Sequence, residues 1–308
     1  MFAGSYAADV GVDVHRAFSA LPMLKEADLA VINLEGPLTS RGEKVPKPFN
    51  FRMPPATTRI LTGAGIDVAC IANNHVFDYG PDGLFDTISY LDSAGVAHVG
   101  AGRNEREAYT PALFTLAGRR VAVLAFYGGG EAPGAVGSKP GVARRDLNRI
   151  RRGIGSIRDS VEYLVVVLHW GTEKATVPDP GQQAFAREII DAGADAVIGH
   201  HPHVLQGIES YRNGVIVYSL GNFIFGGNSR SSYDTGLFEI RLGGAPADGV
   251  RPRERRVEYR FVPLRVDRWQ AMSLSGAEAE RVMRVMRDRS APLRYNMFNN
   301  QGTTKESP

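Results

Sequence analysis

Short apolar runs alternate with amphipathic stretches along most of the chain. The runs fall at residues 29–34, 66–72, 96–99, 121–127, 163–168, 194–198 and 214–220. Near-continuous apolar runs of this length, rich in Val, Ile and Leu, predict strands buried on both faces. Between them, residues 56–64, 81–94, 146–160 and 182–192 carry apolar positions at helical spacing. Such alternation predicts an α/β architecture. Residues 236–242 and 255–266 read as two more strands with no helix between them, which predicts a mixed sheet system arranged as two packed sheets. Segments 128–141 and 226–234 are rich in Gly with Pro or Ser and read as long loops of the kind that often carry function. Neither an internal repeat nor an interdomain linker is apparent. The expectation is one domain over residues 1–290 and a polar, poorly ordered tail over 291–308.

Composition narrows the function classes. The chain has 308 residues, 43% hydrophobic and 22% charged, with a formal charge of +3 and a pI near 9.0. So small a net charge, without a long basic run, does not point to nucleic acid, and none is expected as a partner; an anionic substrate is compatible with it. The single cysteine, Cys70, excludes an intrachain disulfide and, lying in an apolar run, reads as a small buried hydrophobe. No stretch approaches the roughly 18 apolar residues of a membrane span. Met1-Phe2-Ala3-Gly4-Ser5-Tyr6 lacks a basic segment followed by an apolar one, so the chain as written reads as cytoplasmic.

The histidines carry the candidate chemistry. There are seven, and most lie just after a predicted strand. Asn73-Asn74-His75 follows the run at 66–72, His169-Trp170-Gly171 that at 163–168, and Gly199-His200-His201-Pro202-His203 that at 194–198. Asn33-Leu34-Glu35 closes the run at 29–34, and Leu220-Gly221-Asn222 that at 214–220. Ligands of open α/β sheets bind beyond the carboxyl ends of the strands, so these motifs are expected to face one cavity. Each alone has a plainer reading: a hydrogen-bonded loop histidine, a turn asparagine, a solvated carboxylate. Together, imidazole, carboxylate and carboxamide oxygen form a set suited to Zn²⁺, Mn²⁺ or Fe²⁺ rather than Ca²⁺. Pro202 stiffens the turn that presents His201 and His203. Metal ions there would activate a water, and a neighbouring histidine outside the ligand set could protonate a leaving group.

These motifs, in this order, resemble the capsule-synthesis CapA/PgsA family of poly-γ-glutamate biosynthesis. The residues that carry the resemblance are Asn33-Leu34-Glu35-Gly36-Pro37-Leu38, Asn73-Asn74-His75-Val76-Phe77-Asp78-Tyr79-Gly80, His169-Trp170-Gly171-Thr172-Glu173, His201-Pro202-His203-Val204 and Ser219-Leu220-Gly221-Asn222-Phe223. The resemblance implies a metallophosphoesterase-like α/β fold, a mixed-sheet sandwich flanked by helices. It implies Glu35 as bridging carboxylate, Asn74, His169, His201 and His203 as metal ligands, and His75 as general acid. Asn222, Trp170, Lys47, Phe51 and Arg52 are implied to line the site, while His200 matches no ligand position. The implied cofactor is a divalent transition metal (Mn, Zn or Fe), as one or two ions. The implied partners are an anionic small-molecule or peptide-like substrate and a membrane-bound synthesis complex.

One position departs from the pattern. The family's first strand ordinarily ends in Gly-Asp, with the Asp on the first metal, and Gly4-Ser5 stands there instead. A serine hydroxyl is a weak, neutral ligand, so a single ion is the expectation unless Asp9, or Asp13 with His15, takes that place. Around the motifs, Asp78 either orients His75 or caps the helix that Pro81 opens. Glu173 faces substrate or forms a structural ion pair. The arginines at 144–145, 151–152 and 251–256 read as solvated faces, and Gly128-Gly129-Gly130 lacks the ending of a phosphate-binding loop. Three functions remain open: a metal-dependent hydrolase of a phosphoester or amide, a non-catalytic binding component of polymer synthesis, and a tailoring enzyme of small-molecule biosynthesis on the same scaffold.

Overall fold

A computed structural model describes residues 2–3, 16–225, 229, 231–243 and 256–293. Ser5, Asp9, Asp13 and His15 lie outside the described residues, as do residues 294–308 of the expected tail. Numbered in chain order, β1 (Phe2–Ala3) pairs in parallel with β13 (Ile224–Phe225). A parallel three-stranded sheet joins β2 (Val31–Asn33), β3 (Val68–Cys70) and β4 (Ala97–Val99). Beside it β5 (Ala101–Gly102) pairs with β8 (Gly141–Val142). The larger sheet has six strands in the order β11 (Ile208–Tyr211), β12 (Gly214–Val217), β10 (Ala196–His200), β9 (Tyr163–His169), β7 (Arg119–Tyr127) and β6 (Ala112–Leu116). Its four central strands are parallel and its two edges antiparallel.

The long apolar runs exist because β7 and β9 are covered on both faces. Val123, Ala125 and Val167 pack with Val68, Cys70 and Ile71 of the smaller sheet. The alternate residues Leu124, Phe126, Val166 and Leu168 pack with Ile150 and Ile154 of α5 (Leu147–Ile157) and Ile189 of α6 (Pro180–Asp191). The short α1 (Met23–Glu26) and α4 (Glu105–Ala108) lie in connections, and α2 (Thr57–Ala64) and α3 (Gly80–Ser93) follow β2 and β3. Ile60, Leu61, Leu84, Ile88 and Leu91 of α2 and α3 belong to the same core as the smaller sheet. The fold is therefore a mixed α/β sandwich with helices outside both sheets. Cys70 is buried within it, and burial pushes its thiol pKa up.

Local signals account for the element ends. Asp179 accepts from the Gln182 amide while Gln182 returns a bond to the Asp179 amide, a capping box with Pro180 at the first turn of α6. Asp146 caps α5 through the Arg149 amide. Ala117 and Gly118, both at positive φ, form the tight turn between β6 and β7.

Beyond the sandwich, β14 (Tyr233–Gly243), β15 (Arg256–Asp267) and β16 (Gln270–Ser273) form an antiparallel sheet. It packs with α7 (Gly276–Ser290) over Val215 and Val217 through Phe261, Val282 and Met286. The loop expected at 226–234 thus ends sooner than its composition suggests, because Tyr233 and Asp234 already pair with Val266 and Arg265. Within the segment expected as a tail, residues 291–293 form a 3-10 turn that buries Leu293. Among the described residues no helix is long and apolar enough to cross a membrane.

One close approach fixes the spacing between β10 and β12. A methyl group on Gly199 would run into the Tyr218 carbonyl and come 2.6 Å from Trp170 Nε1. Gly199→Ala is expected to cost about 1–3 kcal/mol through this overpacking. Chemical denaturation measures it, and an unchanged midpoint would show that the strands can move apart freely.

Candidate metal centre

The parallel strands of both sheets end at one edge, and the loops that leave them converge there. β2 leads into Glu35, β3 into Asn74 and His75, β9 ends on His169, β10 leads into His201 and His203, and β12 into Asn222. Asn73 ties two of these loops together. Its Nδ2 donates to the Leu34 carbonyl at 2.8 Å, and its Oδ1 accepts from the amides of His75 at 3.1 Å and Val76 at 2.9 Å. The turn after β10 is held in left-handed backbone, with φ of 98° at His201 and 61° at His203. Such conformations cost free energy and persist where surrounding contacts enforce them.

Ligand-type atoms meet within this edge. His169 Nε2 lies 2.9 Å from Asn74 Oδ1, 3.1 Å from His201 Nδ1 and 3.7 Å from Glu35 Oε1. Glu35, His201 and His203 each offer an atom within 4.8 Å of the others. Asn33 donates to Glu35 Oε2 at 3.3 Å, whereas the buried Oε1 has no hydrogen-bond partner among the described residues. His203 Nδ1 faces Asn222 Oδ1 at 2.8 Å, which sets Nδ1 as the protonated nitrogen and leaves the Nε2 lone pair free. His169 Nε2 carries at most one proton and cannot satisfy both the Asn74 oxygen and the His201 nitrogen. A divalent cation among these atoms resolves both the orphaned carboxylate oxygen and the crowded lone pairs, so the residues present fit a metal ion.

The electrostatics agree with that fit. Burial pushes Glu35 up to about 8 and His203 down to about 4. It also holds His201 below and His169 well below the ordinary imidazole value. The imidazoles are thus neutral near pH 7, the state that metal binding requires, while the carboxyl must give up its proton to an arriving cation. Between pH 4.5, the ordinary value, and about 8, folded metal-free protein keeps a Glu35 proton that the unfolded chain has released. Its stability therefore falls as pH rises through that window. The depressed histidines act in the opposite sense, but only below their ordinary value of 6.5. From pH 6.5 to 8 Glu35 is the main shifted group among the described residues, with a slope of at most about 1.4 kcal/mol per pH unit. Denaturation in chelator at the two ends of that range is expected to show lower stability at pH 8, with the slope lost in Glu35→Gln; a flat profile in the parent protein would contradict it.

His75 stands beside this cluster. Its Nδ1 pairs with Asp78 Oδ2 at 2.7 Å, and its ring stacks on Phe51 with centroids 3.9 Å apart. Asp78 is fully buried, bonded by the Phe51 amide at 2.5 Å and paired with Lys47 Nζ at 2.5 Å. Lys47 Nζ also donates to the Asn74 carbonyl at 2.7 Å. Of the two roles open to Asp78, the structure places it against His75 rather than as the cap of α3, whose first turn has no side-chain cap.

Two expected lining residues lie elsewhere. Trp170 is 1% exposed, stacks on Tyr218 and donates to the Tyr218 carbonyl at 3.2 Å, so its indole belongs to the core of the α5–α6 face. The Arg52 guanidinium lies over the Tyr79 ring at 4.5 Å, while its neighbour Phe51 covers His75. His200 turns into a small cavity of about 60 Å³ with Phe18, Ile32 and Leu220, away from the ligand-type atoms. Glu173 lies 3.9 Å from His203 Nε2. Glu131, unremarked in the Gly-rich loop 128–141, accepts from Asn74 Nδ2 at 3.1 Å and so turns Oδ1 inward; only the adjoining glycines in that loop hinted at function.

An α/β sandwich with a His/Glu cluster at its converging strand ends is one class of architecture; the chain's relatives narrow it. Residues 4–227 match the family model described as bacterial capsule synthesis protein PGA_cap. The chain belongs to this bacterial capsule-synthesis family. It is 35% identical over 233 residues to the capsule biosynthesis protein CapA of Bacillus anthracis, covering 72% of this chain and 56% of that protein. It is 32% identical over 225 residues to the PGA biosynthesis protein CapA of Bacillus subtilis, covering 72% and 59%. The chain thus spans a little over half the length of these two relatives. A Mycobacterium tuberculosis protein named "Probable polyglutamine synthesis accessory protein" is 32% identical over 270 residues, covering 82% of this chain and 70% of that protein. Among solved structures, a hypothetical protein of Thermus thermophilus aligns with a TM-score of 0.48 at 15% identity, over 80% of this chain and 92% of that one. The 5'-nucleotidase of Candida albicans aligns at 0.43 and 13%, over 77% and 45%.

Proposed function

We propose that this capsule-family protein is a metal-dependent hydrolase that cleaves a phosphoester or an amide in an anionic substrate of polyglutamate synthesis. The observation that carries the reading is the convergence of Glu35, Asn74, His169 and His201 on one point beside the His75–Asp78 pair. Glu35, Asn74, His169, His201 and His203 would hold the metal. When bound, a divalent ion of the Mn, Zn or Fe kind supplies Lewis acidity to the scissile group and to a water.

The chain's own residues do the rest. Asp78 accepts a hydrogen bond from His75 Nδ1 and orients the ring, so that His75 protonated on both nitrogens would pass its Nε2 proton to the leaving group and keep the Nδ1 proton against Asp78. Lys47 and the Phe51 amide keep Asp78 in place, and the Phe51 ring shields the pair from water. Glu131 orients Asn74, and Asn222 orients His203. The relatives' names, capsule and polyglutamine synthesis, support a glutamate polymer or its precursor as substrate and a synthesis complex as partner. The test is turnover by protein loaded separately with Mn²⁺, Zn²⁺ and Fe²⁺ on an aryl phosphoester and on a γ-glutamyl anilide. Hydrolysis of either is expected; metal-loaded protein inert toward both would overturn the reading in favour of a binding role.

A further inference from the structure

A cavity of about 440 Å³ opens beside His203 and Asn222 and runs along α7. Val204, Val282 and Val285 give it apolar walls, and Tyr233 and Asp234 of β14 close one side. Its charges are unevenly committed. Asp234 is held by Arg281 through two bonds of 2.7 and 2.8 Å, with Arg265 3.6 Å away, so its charge is matched. Arg289 has only the Leu205 carbonyl for its guanidinium, and Lys174 Nζ has no carboxylate within ion-pair distance, both among the described residues. Burial holds the Arg289 pKa below its ordinary value.

Lys174 is also placed deliberately. It adopts φ of 62°, and its amide donates to the Pro202 carbonyl at 2.8 Å, which fastens it to the same turn that presents His201 and His203. Left-handed backbone at a lysine costs free energy and is retained here beside the candidate metal centre. Two cationic side chains, neither with a carboxylate partner among the described residues, therefore line a roomy cavity that begins at the candidate metal ligands.

We propose that Lys174 and Arg289 form an anion subsite that takes a carboxylate or phosphate group borne by the substrate chain, setting which chain enters past His203 and Asn222. This rests on the hydrolase reading for its purpose but is tested by binding. Calorimetry of Mn²⁺-loaded protein with an N-acetylated γ-linked glutamate trimer, its neutral form with every carboxyl amidated, and phenyl phosphate separates the possibilities. Lys174→Asn suits the left-handed backbone while removing the charge; Arg289→Gln keeps a donor for Leu205. Each is expected to weaken binding of the trimer about tenfold, roughly 1.4 kcal/mol, with the fully amidated form unaffected. Loss confined to phenyl phosphate would identify phosphate as the anion and support the subsite equally. Undiminished binding of both anions by folded Lys174→Asn protein, or no binding by the parent, would overturn it. Failure of the hydrolase reading shows differently, as absent turnover with charge-dependent binding retained.

Discussion

Replacing His75 by alanine is expected to lower kcat by about 10²–10⁴-fold, the range that a positioned general acid contributes, while bound metal stays at the parent level. The reason is the division of labour at the strand edge. His75 pairs with Asp78 and stacks on Phe51, whereas the ligand-type atoms come from Glu35, Asn74 and the later histidines. Loss of the imidazole leaves Asp78 still paired with Lys47 and bonded by the Phe51 amide, so no buried charge is stranded and the fold is retained. The effect should shrink for substrates with good leaving groups, which need little protonation. Steady-state kinetics with leaving groups of graded pKa checks this, and an equal loss across the series would point to positioning rather than proton transfer.

Neutralising Glu35 is expected to have the second large effect, on metal rather than on turnover alone. Glu35 is the one negative charge among the five candidate ligands, and its buried Oε1 has no other partner among the described residues. Glu35→Gln keeps the shape but removes that charge, and metal affinity should fall on the order of 100-fold or more, at or beyond the loss seen on removing outer-sphere partners. The same variant escapes the destabilisation of a buried carboxylate, so metal-free Glu35→Gln should be more stable than metal-free parent at pH 8. Saturating metal should then stabilise the parent far more than the variant, since a ligand at 100 times its Kd adds about 2.7 kcal/mol. Paired thermal melts with and without Mn²⁺ measure the difference. Equal metal-induced shifts in both proteins would remove Glu35 from the ligand set.

The frame of this site was legible in the chain because buried parallel strands leave continuous apolar runs, and polar residues that stop such runs mark the strand ends. Glu35, Asn74, His169, His201 and His203 could be placed at one edge on that ground alone, and the structure brings them together there. Trp170 and Arg52 show where linear reasoning fails. A residue next to His169 in sequence points to the opposite face of its strand, and so Trp170 packs on Tyr218. Glu131 was illegible for a related reason: nothing local marks a loop carboxylate that meets Asn74 across 57 positions of sequence. The helix α7 escaped notice because four arginines dilute its apolar positions; only Val282, Met286 and Ser290, four residues apart, turn inward. The edge strands β6 and β11 are short and half-covered, and edge strands carry weak apolar signals.

A single metal-binding place at the converging strand ends is expected to be visible by anomalous scattering from crystals grown with Mn²⁺ or Zn²⁺. A strong peak is expected among Glu35, Asn74, His169, His201 and His203, within bonding distance of Glu35 Oε1 and His169 Nε2. A fully loaded crystal with no peak there, or with its metal bound by other residues, would contradict it.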